Sequence, residues 1–115
     1  MLPRDFLKIG RLVLNKGQWQ GRQLIDPFWI SASMTPKFDT GVRNFRYAFQ
    51  WWAGEVNWQG RKLVWHAGFG NGGQRLYVVP ELNLAIVTTA GAYDELPSAI
   101  RVNHLVQEII DCVDR

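Results

Sequence analysis

Three apolar segments, 62–67, 74–79 and 84–89, are joined by connections of only six and four residues. A parallel pairing would need a crossover of a dozen residues or more, so these neighbours favour antiparallel pairing. Pro80-Glu81-Leu82-Asn83 supplies the tight turn between the last two. A fourth, aromatic-rich segment, Arg46 to Ala53, precedes them and is expected to be a strand followed by a connection over Gly54 to Gly60. The last two strands are apolar at successive positions, so each side of the sheet needs a cover.

Helices at the two ends supply candidate covers. Leu2 to Asn15 is expected to be a helix, with Pro3 in its first turn and Asp5 near the positive end. Leu2, Phe6, Ile9 and Val13 lie near one face, and Lys16-Gly17 is the stop. Gln18-Trp19-Gln20-Gly21 reads as a turn. Asp26 caps a short second helix with Pro27 at its first position, and Thr35-Pro36 ends it before a loop from Lys37 to Phe45. Val102, Leu105, Val106, Ile109, Ile110 and Val113 repeat at helical spacing after a Ser98 cap. The expected fold class is α+β: an antiparallel sheet of about four strands, with N-terminal helices and a C-terminal helix packed on it.

At 115 residues the chain fits one domain, and 47% apolar against 20% charged residues marks it as globular. Six Trp, six Phe and three Tyr must dominate a core or a cleft. Nine Arg and four Lys are scattered, and with a net charge of +3 and no basic block, nucleic-acid binding is not expected. The single cysteine, Cys112, excludes an internal disulfide and reads as a buried, inert thiol in an apolar helix. No run of 18 apolar residues occurs and Met1 to Asp5 lacks signal-peptide character, so a soluble chain without a membrane span is expected. The compartment, bacterial cytoplasm or periplasm, stays open.

The segment with most chemical content is Trp65-His66-Ala67-Gly68-Phe69-Gly70-Asn71-Gly72-Gly73-Gln74. Its glycines leave backbone N–H groups unshielded beside a histidine that can hold a proton near neutral pH. The bland alternative is a hydrogen-bonded strand histidine with no chemistry. Gly68, Gly70 and Gly73 also satisfy G-x-G-x-x-G, but that motif needs a helix to begin at the glycines. Strand-like Gln74 to Val79 follows instead, ending at Pro80, so no dinucleotide cofactor is expected. No metal is expected either, since His66 and His104 are far apart and lack a carboxylate partner at ligand spacing. Asp5, Asp26 and Asp94 have ordinary capping or loop explanations.

Taken together, three stretches resemble the C-terminal part of the serine β-lactamase-like family. They are His66-Ala67-Gly68-Phe69, Gly72 to Leu82, and Ala85-Ile86-Val87-Thr88-Thr89-Ala90-Gly91. Pro3 to Gly17 and Trp19 to Ile25 are also similar to it. That family includes class C β-lactamases, penicillin-binding carboxypeptidases, esterases, D-aminopeptidases and 6-aminohexanoate-dimer hydrolases. It carries a nucleophilic Ser-x-x-Lys, a Tyr/Ser-x-Asn element and Lys-Thr-Gly on a strand edging the cleft. The resemblance implies that His66-Ala67-Gly68 is the third element, with His for Lys as in the esterase and aminohexanoate-hydrolase branches. It further implies that the Phe69 N–H is an oxyanion donor, that Gly68 lets substrate lie against the strand, and that His66 orients the catalytic hydroxyls.

The other two elements are absent. Ser31, Ser33 and Ser98 are followed three residues later by Met34, Pro36 and Arg101, and no Tyr-x-Asn or Ser-x-Asn occurs. Acyl transfer cannot proceed without the nucleophile and its base. Residues 1–115 are therefore expected to be the C-terminal portion of a serine hydrolase domain, inactive alone. Its partner would be the missing N-terminal part or a second copy, and its substrate a small ester, amide or β-lactam. The alternatives are a non-catalytic binding or assembly module and one half of a split enzyme.

Overall fold

Proline opens the first two helices, because a fixed φ and a missing N–H cost nothing in a first turn. The computed structural model describes residues 2–41, 45–48, 50–69, 74–89 and 96–114. Helix α1 (Pro3–Leu14) carries Asp5 in its first turn and Arg11 in its last, each matched to the sign of the helix dipole there. It stops where Lys16 and Gly17 turn left-handed, at φ +57° and +86°, and the Gly17 N–H closes onto the Leu12 carbonyl at 2.9 Å. The expected turn then proves to be a small hairpin, β1 (Gln18–Trp19) with β2 (Arg22–Gln23). Helix α2 (Pro27–Met34) is capped as expected, the Asp26 carboxylate accepting the Phe28 N–H at 2.8 Å.

Six strands follow in an antiparallel meander whose spatial order is the chain order. They are β3 (Phe38–Asp39), β4 (Arg46–Tyr47), β5 (Trp52–Trp58), β6 (Arg61–Phe69), β7 (Arg75–Val79) and β8 (Leu84–Thr88). The expectation of about four strands is thus corrected to six, plus the separate two-stranded hairpin. Arg46 to Ala53 is not one strand. It folds back on itself between β4 and β5, where Ala48 donates to the Trp51 carbonyl at 2.8 Å. The segment expected to connect strands, 54–60, is mostly β5, and the real turn is Gln59-Gly60. Gly54 misled because it reads as a breaker. Here it is a strand residue over which the Trp65 indole lies, in the space a Cβ would take. The loop expected from Lys37 to Phe45 contains β3.

Strand β7 is buried at all five positions, and two different covers account for this. On one face Tyr77 and Val79 join Leu63, Trp65, Val102 and Val106 under helix α3 (Leu96–Asp111). On the other, Leu76 and Val78 pack with Val13 of α1 and Met34 of α2. Each such side chain contributes about 1.5–3 kcal/mol of burial. Close approach of α1 explains its glycine: a Cβ on Gly10 would stand 2.8 Å from the Ala85 Cβ and 3.0 Å from Leu76 Cδ1. Leu2 and Ile9 lie outside that contact and are exposed.

Two further expectations are corrected at the C-terminal helix. It begins at Leu96, so Ser98 lies inside its first turn and is not the cap. Cys112 is an exposed free thiol, because the apolar stripe that α3 buries runs through Val102, Val106 and Ile110. Among the described residues no helix is long and apolar enough to cross a membrane.

Candidate functional site

Strand β6 aims its backbone groups in a pattern that its hairpin sets. Gln59 and Gly60 are both left-handed, at φ +48° and +76°, and join Trp58 to its partner Arg61. In such a two-residue turn the flanking residues form a hydrogen-bonded pair. N–H groups directed at β5 then recur at every second residue, on Leu63, Trp65, Ala67 and Phe69. The last β5 partner is Trp52, opposite Ala67. The Phe69 N–H is therefore directed to the side on which β5 has already ended.

Beside that amide the strand is bare. A Cβ on Gly68 would meet nothing within 4 Å among the described residues. The open space is a cavity of about 320 Å³ lined by Phe6, Tyr47, Gln50, Trp52, Gly68, Phe69 and Gln74. The Phe69 ring stacks on Trp52 with centroids 5.5 Å apart, and the Arg75 guanidinium lies 4.7 Å from its centroid. Arg75 is itself held, donating to the Tyr77 hydroxyl at 2.7 Å and to Asn103 Oδ1 at 2.6 Å. Asn103 of α3 thus helps hold Arg75, the cross-strand partner of Phe69, against its ring.

His66 stands apart from this pair. Its side chain projects to the α1 face and lines a second, larger cavity of about 560 Å³, with Val13, Ile30, Ser31, Met34 and Val78. Nδ1 is buried and has no hydrogen-bond partner among the described residues. Burial, and secondarily the positive charge of Arg46, hold the His66 pKa below its ordinary 6.5. The imidazole is therefore neutral at pH 7. Because the unfolded chain binds this proton more readily, stability is complete above pH 6.5 and declines as the pH falls toward the folded pKa. Urea midpoints measured against pH should show that decline, and His66→Gln should flatten it.

The structure therefore brings Gly68 and Phe69 to one cavity and places His66 at another. Ser31 shares the cavity of His66, while Ser33 is spent on a 2.9 Å bond to the Ile30 carbonyl. Residues 70–73, the second half of the glycine segment, lie outside the described residues, as does Asp94. Strand β7 begins at Arg75 where the dinucleotide motif would require a helix. Among the described residues no group of three or more His, Cys, Asp or Glu could hold a metal ion, and His104 is exposed. Tyr47, Gln50 and Trp52 were not foreseen as cavity residues. The turn that delivers them sits inside what reads as a continuous aromatic strand.

No family model matches the chain, and no curated protein does. A solved protein from Bacillus anthracis, described as a 6-aminohexanoate-dimer hydrolase, superposes with a TM-score of 0.68 at 22% identity, over 95% of this chain. The fold is β-lactamase-like. The chain spans 28% of that hydrolase's length. The α+β class with an antiparallel sheet and flanking helices agrees with the expectation from sequence; only the strand count differs.

Proposed function

We propose that this chain is the C-terminal portion of a β-lactamase-like serine hydrolase, supplying the His66-Ala67-Gly68 strand and one half of the oxyanion hole. The observation that carries the reading is the Phe69 N–H, directed past the end of β5 beside a glycine with open space at its Cβ position. The nucleophile comes from outside these residues, as a Ser-x-x-Lys serine on the remaining portion of the enzyme. Its hydroxyl oxygen attacks the carbonyl carbon of a small ester, amide or β-lactam. The carbonyl oxygen then gains negative charge, and a fixed N–H donor at that point stabilises it. The adduct collapses with cleavage of the bond from the carbonyl carbon to the leaving oxygen or nitrogen, which takes up the serine's proton, and water then attacks the acyl-enzyme to release the acid and the free serine. Neutral His66 offers a nitrogen to the catalytic hydroxyls, which on this reading enter from the larger cavity on the α1 face.

Turnover of a chromogenic short-chain ester and of a cephalosporin tests this, with the chain alone and mixed with a nucleophile-bearing N-terminal portion. We expect none from the chain alone and acyl-enzyme formation from the mixture. A burst from the isolated chain would place the nucleophile within these residues and overturn the reading. Strand β8 has β7 on one side and no strand on the other among the described residues. It carries no charge or proline in Leu84–Thr88, the usual devices that protect a sheet edge. The chain alone is expected to form dimers or larger species at micromolar concentration. Light scattering that returned the 13.2 kDa monomer would refute that.

A further inference from the structure

The cavity at the end of β6 has a shape and lining that say more about its occupant than the hydrolase reading does. Four of its seven lining residues are aromatic, namely Phe6, Tyr47, Trp52 and Phe69. Three of them are already arranged as rings on rings: Tyr47 meets Trp52 edge-on at 5.2 Å, and Trp52 stacks on Phe69 at 5.5 Å. Flat walls in offset and edge-on geometry favour a further ring over a flexible chain, because the aromatic quadrupoles are satisfied by both arrangements. Size agrees. A cavity of about 150 Å³ accepts a benzene molecule, so about 320 Å³ holds one ring with a short carbonyl-bearing arm.

Polar groups complete the lining. Gln50 and Gln74 line it too, and the carboxamide of a glutamine such as Gln50 is a neutral donor and acceptor suited to an amide or ester. Gln50 holds a left-handed backbone, φ +66°, at the hairpin tip between β4 and β5, a conformation that glycine or asparagine takes more readily. It is exposed there and lines the cavity. Gly68 leaves the strand side open so that the arm can lie along the backbone toward the Phe69 N–H.

We propose that this cavity is an acyl-group subsite selecting substrates with an aromatic ring one or two bonds from the carbonyl, in an uncharged amide or ester. The ring packs among Phe6, Tyr47 and Trp52, and the carboxamide of Gln50 holds the polar arm. The proposal rests on the hydrolase reading for its link to catalysis, but its test measures binding and needs no turnover.

Phenylacetamide, hexanamide and acetamide are titrated into the isotopically labelled chain, and amide and indole resonances are followed. Phenylacetamide should shift Gly68, Phe69 and the Trp52 indole, and should bind at least tenfold more tightly than hexanamide or acetamide. Hexanamide binding as tightly as phenylacetamide would overturn the aromatic assignment in favour of a linear acyl group. Shifts confined to other parts of the chain, or no shifts at all, would overturn the subsite. Gln50→Gly suits the left-handed backbone and should fold normally; it should weaken phenylacetamide several-fold. Unchanged affinity in that variant would remove Gln50 from the site. Failure of the hydrolysis test with these binding results intact would strike the catalytic reading alone.

Discussion

Gly54→Ala is expected to destabilise the chain by about 2–3 kcal/mol, the upper part of the range for overpacking a core. The melting temperature should then fall by roughly 10–20 °C. The new methyl would enter the space occupied by the six-membered ring of Trp65. That indole is 6% exposed and packed on three sides, against Phe45 at 5.0 Å, Phe69 at 5.8 Å and Tyr77 at 5.3 Å. It has no rotamer to retreat to without displacing other rings. A double substitution separates this clash from any general cost of changing a strand glycine. Trp65→Leu alone leaves a cavity and should cost stability, but in its presence Gly54→Ala should become nearly neutral or favourable. Calorimetry or urea denaturation of the four proteins gives the coupling directly. Additive effects would show that the Trp65 ring is not what requires glycine at position 54.

The same pair of residues shows where the sequence was legible and where it was not. Periodicity located β6, β7 and β8 within two residues of their ends, because Leu63, Val78, Val79 and Ile86 are apolar where the sheet is covered. The boundaries of α1 and α2 were legible for a different reason: Pro3, Asp26, Pro27 and Lys16-Gly17 act locally, through capping and φ, without help from the rest of the chain. Gly54 could not be read correctly, since its place in a strand depends on Trp65, eleven residues away and opposite it in register. Gln59 and Gln50 hid two turns, because glutamine is a poor signal for the left-handed backbone both adopt.

The candidate site divides along the same line. Residue types drew attention to His66 and the glycines after it, and the resemblance of His66-Ala67-Gly68-Phe69 to a family motif named Gly68 and Phe69 as candidates. Their directions were not available from residue types, since they follow from hairpin parity and from where β5 ends. Adjacent residues of a strand project to opposite faces. Parity puts His66 and Gly68 on the α1 face and sends the Phe69 ring into the aromatic cluster under α3. Phe69 can therefore offer only its backbone to an incoming group beside β6, and its ring serves to hold that backbone in place.

Gly68→Val tests that division, because its two effects should separate. Among the described residues nothing lies within 4 Å of a Cβ at this position, and its φ is not left-handed. A β-branched residue suits a strand. The folded chain should therefore be as stable as the parent, within about 0.5 kcal/mol, as for other substitutions that touch nothing. In the mixture with a nucleophile-bearing portion, however, the branched side chain would fill the space beside the Phe69 amide. Displacing the acyl group by an ångström or so should lower kcat/KM by about 100-fold, while Ala at the same position should cost less. Equal losses of stability and activity would mean that Gly68 serves the fold. Full activity in a stable Val variant would mean that substrate does not approach β6 from this side, and the assignment of Phe69 as the oxyanion donor would fall with it.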